Sequence, residues 1–217
     1  MIEELKRTVG TDERILWEGK PDKKCFIFES IFNPLLPFAL IWGLIDGFMI
    51  FTSLKVDQAI SNTPGLSSTI GDFAFFSIPF FVIHLMPVWI YLIGVLLIRK
   101  RYKNTAYVVT DKAIYVSNGI ISRTINRKPF AELSHVNLHR GFFDQKFGVG
   151  DIVLSSTTGV VSNGAVMPGL SINSISDYNR VYDIVKKIQT DIYSDTMYPN
   201  DMRPKENHGY NTEYKGM

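Results

Sequence analysis

Two long apolar runs and a later switch to alternating polarity divide the chain. The first run, IFNPLLPFALIWGLIDGFMIFTSL, spans Ile31 to Leu54, and the second spans Phe73 to Ile98. An α-helix needs about 20 mostly apolar residues to cross a bilayer core of roughly 30 Å, and both runs are long enough. Pro34 and Pro37 fall in the opening turns of the first, where a missing amide donor costs least. The polar stretch 55–72, with Thr63-Pro64-Gly65 as its turn, separates them. Lys20, Lys23 and Lys24 precede the first run, and Arg99, Lys100, Arg101 and Lys103 follow the second, whereas Lys55 is the one basic residue of the loop. Basic residues stay on the cytoplasmic side because translocating them is unfavourable. The pattern predicts a two-helix transmembrane hairpin in the cell membrane, multi-pass, with both termini cytoplasmic.

After Asn104 the period becomes two. Thr105 to Thr110 and Ala113 to Ser117, rich in Val, Ile and Tyr, read as strands joined at Asp111-Lys112. Asn118-Gly119 between Tyr115–Ser117 and Ile120–Ser122 predicts a type I′ hairpin. Further strands are expected at Val136–Arg140, Ile152–Ser156 and Val160–Met167. In the first of these Val136 and Leu138 face one side, with His135, Asn137 and His139 on the other. From Ser176 to Tyr193 the spacing of Tyr178, Val181, Tyr182, Val185, Ile188 and Ile192 predicts a helix with one apolar stripe, which a sheet would cover. The expected organisation is a cytosolic lead-in over 1–30, spans at 31–54 and 73–98, an α+β module over 104–193, and a polar, disordered tail over 194–217. In the lead-in, Ile15, Leu16 and Trp17 form a short apolar cluster before a turn at Gly19–Asp22.

A net charge of +2 and the lack of a basic, aromatic-interleaved stripe argue against nucleic acid. One cysteine, Cys25, excludes an internal disulfide. The charged first residues lack the apolar core of a signal peptide, so the apolar runs are anchors that stay in the protein. No Ser-His-Asp or Cys-His set can be assembled. His135 and His139 would stand about 13 Å apart on a strand, too far to share an ion. Gly148-Val149-Gly150 opens no helix and lacks the third glycine of a nucleotide loop. No catalytic residue, metal or cofactor is therefore assigned.

Three groups of side chains remain as candidates. Asp46 lies eight residues from Leu54 and His84 eleven from Phe73, so their depths in antiparallel spans would differ by only about 4–5 Å. An unpaired carboxylate in hydrocarbon is costly, which favours an intramembrane polar pair. Arg99, Lys100, Arg101 and Lys103, and a second group of Arg123, Arg127 and Lys128, could meet anionic headgroups. Phe142, Phe143 and Phe147 crowd the connection Gly141–Gly150 beside Arg140 and Lys146. Either they plug the open end of the sheet, or at least one stays exposed to enter the membrane interface or anchor a partner.

Residues 107 to about 190 resemble the bacterial pleckstrin-homology-like domain of small membrane proteins. The likeness rests on the Tyr107–Thr110 strand ending in Thr-Asp, the hairpin at Asn118-Gly119, the Leu133–Leu138 segment, the Phe147-Gly148-Val149-Gly150-Asp151 turn and a closing helix. Trp17-Glu18-Gly19-Lys20-Pro21 is similar to the lead-in of such proteins. The resemblance implies a bent antiparallel sheet plugged by the C-terminal helix, and a binding or scaffolding module, not an enzyme. Eukaryotic relatives bind phosphoinositides through basic residues in the first strand connection, and Asp111-Lys112 departs from that pattern. The expectation is a membrane-anchored, non-catalytic module presenting a protein- or lipid-binding surface at the cytosolic face. Its partners would be the lipid bilayer and a protein or a second copy of the chain. The alternative is a small transport or envelope-complex subunit in which the hairpin with Asp46 and His84 is the active part.

Overall fold

A computed structural model describes residues 2–61, 79–156, 161–162, 165–166 and 170–197. The chain divides into two compact units, residues 1–28 with 99–217 and residues 29–98.

The first unit is built on the Val- and Tyr-rich strands β2 (Ala106–Thr110) and β3 (Ala113–Asn118). Neither alternates in burial: every residue of β2 is buried, because both faces are covered. On one face Tyr107, Val109, Ile114 and Val116 enter the main core. On the other, Val108, Ala113 and Tyr115 pack with Leu5 of the N-terminal helix α1 (Ile2–Lys6). The apolar cluster at Ile15–Trp17 belongs to a strand, β1 (Ile15–Gly19), which pairs antiparallel with β2 from Ile15↔Thr110 to Gly19↔Tyr107. With β4 (Thr124–Pro129) these strands form a sheet in the order β1-β2-β3-β4.

The Asn118-Gly119 hairpin differs from the expected type I′ turn. Asn118 remains in β3 opposite Thr124, so the connection is longer. Gly119 takes φ +132°, where a Cβ would lie 2.0 Å from the carbonyl oxygen of Ser122.

A second sheet follows in the order β5 (Leu133–His139), β6 (Gly150–Ser156), β9 (Leu170–Ile175). Strand β9 has no counterpart in the sequence reading. The strand expected at Val160–Met167 is instead a short ladder of β7 (Val161–Ser162) and β8 (Ala165–Val166), the rest of that stretch lying outside the described residues. In β5 Val136 packs on the core, while Leu138 is partly exposed. The closing helix α6 runs Tyr178–Met197, four residues past the expected end, and buries Val181, Val185 and Ile188 of its stripe in the core. The expected disordered tail lies outside the described residues from 198 onward.

Among the carboxylates that fasten the chain before β1 is Glu13. Glu13 accepts hydrogen bonds from Thr110 Oγ1 (2.7 Å), Tyr115 OH (3.0 Å) and Arg127 (2.9 Å). Burial pushes the Glu13 carboxyl up, but these three donors outweigh it and hold it below the usual carboxylate range.

Helix α2 (Lys23–Ile31) begins in the first unit, and in the second unit helix α3 runs Leu35–Ser61. Asn33 starts α3, its side-chain oxygen accepting from the Leu35 amide at 2.8 Å. Residues 55–61, expected in the polar loop, continue this helix. Its stretch Leu35–Val56 is long and apolar enough to cross a membrane, and only about a tenth of its most apolar part is buried, unlike a core helix. It is the one such helix among the described residues. Of the other expected span, 73–78 lie outside the described residues. Residues 79–84 are helical, and α4 (Met86–Asn104) resumes after a break at Leu85.

The Glu13 hydrogen bonds generate a pH prediction. A folded-state pKa below the unfolded value gives stability that is present above the ordinary carboxylate range and lost as pH falls through the lowered value. Glu13→Gln should therefore lower the denaturation midpoint of the detergent-solubilised chain at neutral pH, with the difference from wild type shrinking on acidification. A pH-independent difference would remove Glu13 as the titrating fastener.

Candidate functional site

In the second unit the structure brings Asp46 and His84 together, with 2.6 Å between Oδ1 and Nδ1. Asp46 is fully buried, although apolar neighbours on α3 such as Leu44 are exposed. Its Oδ2 has no hydrogen-bond partner among the described residues. Two aromatic rings flank the imidazole: Phe80 stacks at 5.1 Å and Trp42 lies tilted at 5.1 Å. The backbone explains the second contact of Trp42. Pro87 has no amide, and the Val88 amide turns to Leu85 O at 2.9 Å. The His84 carbonyl is thus left to accept from Trp42 Nε1 at 2.8 Å. Trp42 stands four residues before Asp46, one helical turn away, a spacing from which it could have been found.

In the first unit the three phenylalanines form a short helix, α5 (Phe142–Phe147), where a connection was expected. Gly148, at φ +70°, closes it, with the Val149 amide donating to Asp144 O at 2.9 Å. The anchor of α5 is Asp144, fully buried. Its Oδ2 accepts from the Gly141 amide at 2.8 Å, and its Oδ1 lies 3.5 Å from the Cys25 sulfur in α2. The start of α2 is fixed in turn: Asp22 caps the Cys25 amide (2.8 Å), and its own amide donates to Ser174 O (2.6 Å). Ser174, a non-glycine residue at φ +54°, donates its amide to Asp151 Oδ1 at 2.6 Å. Burial, with the Asp144 charge adding to it, pushes the Asp151 carboxyl up.

This scaffold sets α5 beside α2 and brings Phe28 to the phenylalanines, 6.0 Å from Phe143 and 5.5 Å from Phe147. Phe142 packs edge-on against Phe143 at 5.3 Å and is 76% exposed, and Phe28 is 40% exposed. None of the three loop phenylalanines joins the main core. Ligand atoms of His139, Asp144 and Asp151 lie within 4.8 Å of one another, close enough for a cation. Asp144 and Asp151 nevertheless accept hydrogen bonds that hold α5 and β9, which gives the cluster a structural role.

The two basic groups differ. Arg123 pairs with Glu4 (2.8 Å), Arg127 with Glu13 (2.9 Å) and Lys128 with Glu132 (2.8 Å), so internal carboxylates balance them. Arg99, Lys100, Arg101 and Lys103 are exposed in the last turns of α4, where the helix dipole favours cations. None has a carboxylate within ion-pair distance among the described residues, and Arg101 lies over the Phe26 ring at 5.6 Å.

The profile of the family described as Bacterial PH domain matches residues 68–187, more than half of the chain. The chain belongs to the Bacterial PH domain family. No curated protein and no solved structure gives a match. PH domains are generally non-catalytic binding modules. The match takes in α4 through most of α6, whereas β1, which completes the four-stranded sheet, and α1, whose Leu5 packs on one face of it, lie before it.

The Asp46–His84 contact should appear as coupling. Asp46→Asn and His84→Leu each remove one partner, and the double mutant should be non-additive by about 0.5–3 kcal/mol. Unfolding of the chain in bicelles measures this, and strict additivity would show that the pair contributes nothing jointly.

Proposed function

We propose that the chain is a membrane-anchored, non-catalytic module that presents a protein- or lipid-binding surface at the cytosolic face of the cell membrane. The observation that carries this reading is the pairing of β1 with β2 across the apolar segment. Gly19 and Tyr107 are partners in one sheet, so they lie on the same side of any bilayer. The number of crossings between them is therefore even. If Leu35–Val56 crosses, a second crossing must return the chain, and the other long apolar run is 73–98. Contacts of Asp46 and Trp42 with His84 support two adjacent helices. The basic residues at both outer ends, Lys20, Lys23 and Lys24 and then Arg99 to Lys103, favour a cytoplasmic module with both termini inside.

The same contacts favour a clamp over a conducting site. Asp46 and His84 are joined to each other and walled by aromatic rings, and two helices alone enclose no pathway.

Cysteine labelling tests the topology. A Ser61→Cys variant, at the end of α3, should react with an impermeant maleimide from outside intact cells. Ser194→Cys should react only after the cytosolic face is opened. Labelling of both from the same side would contradict the hairpin.

A further inference from the structure

Resting on that reading, we infer that the Phe28–Phe142–Phe143–Phe147 cluster is a membrane wedge, seated at the headgroup–acyl boundary of an anionic leaflet. Phe142 and Phe28 expose aromatic surface that neither core covers. They are not loosely held: Asp144 fixes α5 through Gly141 and Cys25, and Asp22 fixes α2 through Ser174. A rigid aromatic side chain suits an interface, because little conformational freedom is lost when it inserts.

The occupant follows from tether length and charge. Phe28 precedes Leu35, the first residue of the apolar stretch, by seven positions, a chain of at most about 25 Å. An apolar phase tethered so closely has a high effective concentration, which a free protein partner lacks. Lys24 stands one helical turn before Phe28, and Lys146 one turn after Phe142, both exposed. The carboxylate of α5, Asp144, is buried and turned inward, so this helix shows only cationic charge to solvent. In α2, Lys23 and Lys24 outnumber Glu29. Apolar rings rimmed by lysine fit phosphate headgroups above acyl chains. Arg123, Arg127 and Lys128, by contrast, already face glutamates.

A nitroxide on Phe142→Cys in the full chain tests the wedge, since Cys25 is fully buried and does not compete for label. The chain is reconstituted in phosphatidylcholine vesicles with and without phosphatidylglycerol, beside variants labelled at Lys128→Cys and at Leu44→Cys. With phosphatidylglycerol, collision of the Phe142 label with a water-soluble nickel complex should fall several-fold below that of the Lys128 label, while collision with oxygen rises. Replacing Lys24 and Lys146 by Glu should reverse part of the shift. A Phe142 label as open to nickel as Lys128 in both vesicles would overturn the wedge. Dipolar broadening between Phe142 labels would overturn it in favour of a second copy covering the patch. If the Leu44 label is lipid-embedded while Phe142 is wet, only the wedge falls. A nickel-accessible Leu44 label would overturn the anchor and the wedge together.

Discussion

Strand β1 is hydrogen-bonded to β2 although the whole apolar segment lies between them in the chain, and most of the architecture follows from that pairing. Closing so long a connection costs little more than closing a short one, because loop entropy grows only with the logarithm of length. The ladder fixes where the chain leaves and re-enters the module, so that any membrane crossings between β1 and β2 must be even in number. It also places α1 over the outer face of β2 and β3, where Leu5 buries Val108 and Ala113 from solvent. Without the N-terminal segment, that face of the sheet would be exposed.

Buried polar groups then determine what the module shows. Asp144 and Ser174 are fully buried, and their hydrogen bonds join α5, α2, β6 and β9 at one corner. Each bond satisfies a group that would be costly to leave unpaired. Together they hold four phenylalanine rings in a fixed arrangement at the surface. In the other unit Asp46 and His84 apply the same rule, where a lone carboxylate among apolar side chains would be destabilising. Basic residues divide according to their neighbours: Arg123 and Arg127 face glutamates from the N-terminal segment and Lys128 faces Glu132, whereas those of α4 face no carboxylate at ion-pair distance among the described residues.

Local periodicity made part of this legible. The stripe of α6 and the Val- and Tyr-rich β2 and β3 are where the sequence pattern places them. The similar depths of Asp46 and His84 anticipated their contact. Strand β1 was hidden because its partner is distant in sequence and its apolar cluster is short. Strand β9, LSINSI, alternates weakly and carries Ser174, with its positive φ, one residue before its end. The Asn-Gly signal was overridden when Asn118 stayed in the ladder. Three phenylalanines between Gly141 and Gly150 stood out, but Phe28, Cys25 and Asp22 lie on another element and only folding joins them. The Glu partners of Arg123 and Arg127 were invisible for the same reason.

A cysteine pair at Glu18 and Val108 tests the β1–β2 closure most directly. These residues are Cα partners, and both lie on the face covered by α1, as the Lys6–Glu18 ion pair and the buried Val108 show. Paired antiparallel residues stand about 4.5–5.5 Å apart, within the roughly 4.4–6.8 Å that a disulfide spans. In a Cys25→Ser background, Glu18→Cys with Val108→Cys should link under mild oxidation of the full chain. After proteolysis within the segment between them, the two fragments should remain joined until reduced. If both cysteines are reactive but no link forms and the fragments separate, β1 does not close on β2, and the even-crossing argument for the membrane anchor fails.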